Sequence, residues 1–186
     1  MPDADPPIPP EGDTLPTGAL PTAADHPEVQ AFLEVHGLEG PARYVEYSGH
    51  PYGEDWCHVS AKHRALTAGG RRVHGWALWA FGEVVVGDHH SLWQTTAGTF
   101  IDVTPPKFGE SRVLFVRDDG ATIEGDDQYI YLLTNRTSVP DAKWLWEGHP
   151  SEYSHVPCPW TKPDLVEYCA LLGLPVSAIV TDGVHG

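Results

Sequence analysis

Cys57, His90 and Asp102 have the residue types that a covalent acyl-transfer centre needs: a nucleophile, a base and a group to orient the base. Cys57 lies in "GEDWCHVSAKHRALTAGG", which reads as a helix. Asp55 can cap it, Val59, His63 and Leu66 recur at helical spacing, and Gly69 and Gly70 end it. Cys57 then falls in the first turn, where unsatisfied N–H groups and the helix dipole favour a thiolate.

The stretch "GDHHSLWQTTAGTFIDVTP" reads as two strands joined by "TTAG", with Gly98 suited to a left-handed position. A three-residue loop pairs Thr95 with Thr99 and hence Leu92 with Asp102, which makes His90 and Asp102 diagonal neighbours on one face. A loop of Thr95 to Ala97 sets them directly opposite, whereas an even-length loop separates them. Side chains alternate along a strand, so His89 points away from Asp102 under either odd-length loop.

Four features follow in order: a cysteine at a helix start, a Gly-rich turn into "AGGRRVHGWALW", the strand "HSLW", and "IDVTP". From Asp55 to Pro105 the chain thereby resembles the transglutaminase-like branch of the papain-like cysteine superfamily. Trp93 stands one residue later than in that family's usual His-x-Trp, and Val103 replaces its usual proline. The resemblance implies a Cys57–His90–Asp102 triad and a thioester acyl-enzyme resolved by water or an amine. The expected substrate is an amide- or ester-containing small molecule or peptide, with no cofactor and no metal. Trp56, Tyr52 and Trp93 are the candidate substrate-binding residues, and Tyr52 is also the candidate second oxyanion donor beside the Cys57 N–H.

Other readings of the same residues stand beside this one. His90 and Asp102 can form a structural hydrogen bond inside a sheet, Asp102 can cap the "VTPP" bend, and Cys57 can be a packed small residue. The fold can also serve as a catalytically inactive binding or partner protein. A His-based metalloenzyme would draw on Asp88, His89, His90, His58 and His63, but His58 and His63 are five apart and face different sides of a helix. Cys158, between prolines in "HVPCPW", reads as a loop residue, and Cys169 as core.

The elements that must position the triad read as α+β rather than a βαβ alternation. N-terminal helices pack on an antiparallel sheet of about five strands, and "TKPDLVEYCALLGLP" supplies a late helix capped by Thr161, with Leu165, Cys169 and Leu172 on one face. "HPEVQAFLEVHGLEG" is the first helix, with Val29, Phe32, Leu33 and His36 as its stripe. Residues 1–27 lack any Lys or Arg and are rich in Pro and Asp, which reads as a flexible acidic arm. Residues 28–186 then form one transglutaminase-like domain, within the size range of a single core. Trp76, Trp79, Trp93, Trp144, Trp146 and Trp160 are core by default.

The net charge of −15 argues against nucleic acid and anionic membranes as partners, because phosphate contacts need clustered Lys and Arg. Three cysteines at unrelated spacings make no disulfide framework, and without a secretory pattern or a long apolar run the expected location is the cytoplasm.

Overall fold

A computed structural model of the chain describes residues 18–139 and 155–180, so Trp144, Trp146 and residues 1–17 of the expected arm lie outside it. The first half runs α1 (Pro27–Val35), β1 (Arg43–Glu46), α2 (Cys57–Ala68), β2 (Arg71–Phe81), β3 (Val84–Gln94) and β4 (Phe100–Ile101). Then come β5 (Arg112–Arg117), β6 (Glu124–Gly125), β7 (Tyr129–Leu133), β8 (Arg136–Thr137), β9 (His155–Pro159) and α3 (Pro163–Leu171), with a 3-10 turn at Val176–Ile179. This is an α+β architecture.

The main sheet has six strands, ordered β1-β5-β2-β3-β4, with β8 also on β3. β2 and β3 form its spine, paired antiparallel from Arg71↔Gln94 to Phe81↔Val84. Both are buried on both faces, and alternation divides their side chains between two cores. Val73, Ala77, Trp79, Val86 and Leu92 point to one side, with Val113 and Phe115 of β5. Trp76, Leu78 and Val85 point to the other, under Val29, Phe32 and Leu33 of α1.

The sheet curls until its ends meet. Tyr47, just past β1, forms a parallel bridge with Asp102, just past β4, through Asp102 N–H to Glu46 O (3.1 Å) and Ser48 N–H to Asp102 O (2.9 Å). The first core therefore fills the inside of a closed, barrel-like sheet, and both N-terminal helices lie outside it.

About five strands were expected; among the described residues the main sheet has six, and a separate three-stranded sheet is ordered β6-β7-β9. The segment read as a loop around Cys158 is the edge strand β9, paired from Tyr129↔Pro159 to Leu133↔His155. Prolines obscure such a strand in sequence, but an edge tolerates them because one side of its backbone needs no partner. α3 packs Leu165 and Cys169 into the core behind this sheet. Its N-cap is Lys162, without a side-chain bond, rather than Thr161.

The expected arm is docked from residue 18 onward. β5 pairs with β2 only over Gly75–Leu78, which leaves the edge at Ala80 open. Ala19 takes it through two backbone hydrogen bonds of 3.0 and 2.7 Å, and Leu20 packs on both cores. Among the described residues no helix is long and apolar enough to cross a membrane.

Candidate active site

α2 begins without an acidic cap. Asp55 adopts φ 62°, the only positive φ among described non-glycine residues, and Trp56 takes the N-cap position with no side-chain hydrogen bond. The expectation that Asp55 caps the helix is therefore corrected. Cys57 is the first helical residue, and the first turn contains no acidic residue and no side-chain cap. At the far end, Gly69 (φ 75°) stops the helix, and a Cβ on Gly70 would stand 2.1 Å from Gln94 O. Only glycine lets this turn pass so close to β3. The helix buries Cys57, Val59, Ser60, Ala61 and Lys62; of the expected stripe, Val59 is buried, His63 half-buried and Leu66 exposed.

The turn after β3 has the three-residue form. Thr95 N–H bonds Thr99 O at 2.9 Å, Gly98 has φ 87°, and Gln94 pairs with Phe100 and Trp93 with Ile101. This register brings His90 and Asp102 to one face, with His90 Nε2 donating to Asp102 Oδ2 at 3.1 Å. The other carboxylate oxygen accepts the Thr104 N–H at 3.0 Å, so the bend-capping role holds alongside the bond to His90. Asp102 is fully buried.

Past Ile101 the chain leaves β3 for Tyr47, and β8 pairs with β3 only at Val86 and Gly87. The stretch of β3 between these two partners has no strand on its outer edge among the described residues. The start of α2 occupies that gap, with Cys57 Sγ 4.0 Å from the His89 carbonyl oxygen. Asp102 holds Nε2 of His90, and the Cys57 sulfur acts on the same ring. Burial pushes the His90 imidazole down, but the Asp102 carboxylate and the Cys57 sulfur outweigh it and hold the ring well above its ordinary range.

Cys57, His90 and Asp102 all line one cavity of about 400 Å³, with Trp79, Asp88, Thr104, Lys107 and Asn135 among the other walls. The three expected substrate-binding residues lie elsewhere. The Tyr52 hydroxyl is held by His63 Nδ1 at 2.7 Å. Trp56 stacks on Tyr168 and lines a separate apolar cavity of about 170 Å³. Trp93 donates to Gly69 O and lies under the Arg64 guanidinium. Trp79 is the tryptophan that reaches the cavity, and alternation along β2 puts it on the same side as His90.

His89 points outward, as parity requires. Its Nε2 donates to Ala121 O at 2.8 Å and its Nδ1 accepts Leu133 N–H at 3.2 Å. Beside it, His58 and His74 share the Ser91 hydroxyl through their Nδ1 atoms. The ring nitrogens of His58, His74 and His89 lie within 4.8 Å of one another, so these three could hold a metal if His89 gave up one of its two bonds. The five residues read from sequence as metal candidates do not converge. Asp88 and His90 face into the barrel, His58 and His89 lie outside it, and His63 is tied to Tyr52. His74 was missed, although β2–β3 pairing puts it directly opposite Ser91.

Burial depresses several histidines, with the largest effects at three: His89 to about 3, His36 to about 4, and His58 well below 6.5. Each is neutral when folded and takes up a proton on unfolding, so its contribution is complete above pH 6.5 and lost as pH falls toward those values. His90 runs the other way, contributing below 6.5 and losing that contribution as pH rises through its raised folded value. The thermal midpoint is therefore expected to fall between pH 6.5 and 4, with His89 alone giving about 1.4 kcal/mol per pH unit. Calorimetry across this range checks it, and a flat midpoint would show that these imidazoles are not held neutral.

The chain matches no protein-family model, no curated protein and no solved structure.

Proposed function

We propose that the protein is a cysteine-nucleophile acyl-transfer enzyme or hydrolase, built as a papain-like or transglutaminase-like domain. The observation that carries this reading is His90, bonded to a fully buried Asp102 on one side and paired with Cys57 on the other, at an uncapped helix start. In the reaction the thiolate attacks the carbonyl carbon of an amide or ester. The oxyanion is received by the Cys57 N–H and by Asn135, which carries the one neutral side-chain amide among the described lining residues. The His90 imidazolium gives its proton to the departing amine or alcohol, the C–N or C–O bond breaks, and a thioester remains. Water or an amine then attacks while His90 takes its proton, and cleavage of the C–S bond restores the thiolate.

The test is brief, limiting iodoacetamide near neutral pH, followed by peptide mass mapping. Cys57 is buried and Cys158 half-buried, so accessibility alone favours Cys158. Faster modification of Cys57 marks an activated thiolate. Equal or slower modification would sink the enzyme reading and leave the cavity as that of a binding protein.

A further inference from the structure

The cavity around Cys57 carries polar atoms that the triad does not use. Asp88 Oδ2 accepts from Lys107 Nζ at 3.2 Å, but its Oδ1 is buried with no hydrogen-bond partner. Thr104, only 3% exposed, lines the same cavity, and its Oγ1 is likewise buried without a partner. Two buried oxygens without partners in the cavity of a nucleophile cost free energy, and such atoms call for an explanation. Both can accept a hydrogen bond, and a carboxylate oxygen can do nothing else at neutral pH. A ligand that satisfies Asp88 Oδ1 therefore brings an N–H or O–H donor, and the Thr104 hydroxyl can accept from the same group.

Charge decides which kind. Four carboxylates, of Glu54, Asp55, Asp88 and Asp102, face two cations, Lys107 and the His90 imidazolium, among the described lining residues. Burial pushes the Asp88 carboxyl up and Lys107 opposes it, so a second cation beside Oδ1 would further stabilise the ionised form. Carboxylates outnumber cations along this wall, so it disfavours an anionic group.

We propose that the cavity selects a substrate bearing a protonated amine, with Asp88 Oδ1 and Thr104 Oγ1 receiving its N–H groups while Cys57 attacks the nearby carbonyl. The inference rests on the nucleophile reading above and adds the substrate's charge class. Asp88 is its specificity-determining residue.

Three thiosulfonate reagents with the same leaving group and different charge test it on the full-length protein: methyl, 2-aminoethyl and 2-sulfonatoethyl methanethiosulfonate. In each, the thiolate attacks the sulfenyl sulfur, a mixed disulfide forms and methanesulfinate leaves. Rates at Cys57 and Cys158 are read by mass mapping at about 0.15 M salt, where the Debye length is about 8 Å and the field of distant charges is screened. Cys158, on the same acidic molecule, reports what remains of that general field. The expected aminoethyl-to-sulfonatoethyl rate ratio, each rate normalised to the methyl reagent, is roughly tenfold higher at Cys57 than at Cys158.

Asp88→Asn should lower the ratio at Cys57 by about tenfold, because it removes the negative charge that receives the aminoethyl group. Thr104→Val removes a hydroxyl that bonds nothing in the free protein, so the fold should tolerate it, and the ratio should drop by roughly twofold to threefold. If Cys57 reacts quickly with the methyl reagent but its ratio equals that of Cys158, or neither variant moves it, the amine inference is overturned and the nucleophile reading stands. A Cys57 inert to all three reagents overturns both.

Discussion

His90→Ala is expected to slow iodoacetamide capture of Cys57 near neutral pH by roughly 100-fold, the scale on which a general base acts. His89→Ala is expected to leave that rate nearly unchanged and to destabilise the protein instead. The two residues are adjacent on β3, yet alternation sends them to different environments. His90 loses an imidazolium partner for the thiolate and leaves Asp102 Oδ2 without its donor. His89 has no part in that pair, but its loss strands the Ala121 carbonyl and the Leu133 N–H, both beside buried groups. Two unsatisfied buried groups cost roughly 2–5 kcal/mol together. Alkylation kinetics and denaturant unfolding on the two variants read these effects separately. Were His89→Ala to abolish thiolate reactivity while His90→Ala spared it, His90 would be a structural residue and the triad would have to be abandoned.

Asp102→Asn should keep the fold and impair the chemistry by about 100-fold or more. The carboxylate accepts Thr104 N–H at one oxygen and His90 Nε2–H at the other. An amide in the same place keeps its oxygen on Thr104 and turns its NH2 toward Nε2. Because that group donates, it favours the tautomer with the proton on Nδ1, where His90 can no longer accept one from the thiol. The negative charge that supports the imidazolium is lost as well. A purely structural His90–Asp102 pair predicts the opposite pattern, with lower stability and an unchanged alkylation rate. Measuring both on one preparation decides between them.

Local chemistry made the site's core legible. A left-handed glycine at Gly98 permits the three-residue turn, and the turn sets the register of β3 against β4. The period of two along a strand then selects His90 over His89. Helix punctuation placed Cys57 in the first turn of a helix whose far end is closed by Gly69 and Gly70, both at positive φ. The error there was one residue: the left-handed bend at Asp55 hands the cap position to Trp56.

The rest depended on contacts between residues far apart in the chain, which leave no periodic trace. Tyr52 faces His63 rather than the cavity, and Trp56 stacks on Tyr168 of α3, more than a hundred residues away. Their nearness to Cys57 in sequence said nothing about where their side chains go. The docking of Ala19 on Ala80 follows from where β5 stops, which the composition of residues 1–27 does not encode.

By itself, then, the sequence determined which residues share a face and which begin or end an element, because backbone sterics and side-chain alternation act over a few residues. Only the tertiary structure decided that the sheet closes through Tyr47 and Asp102, that β3 keeps an unpaired stretch of edge, and that the start of α2 fills it. Those outcomes are set by how curvature, strand length and burial balance across the whole sheet, and no local stretch of the chain carries that balance.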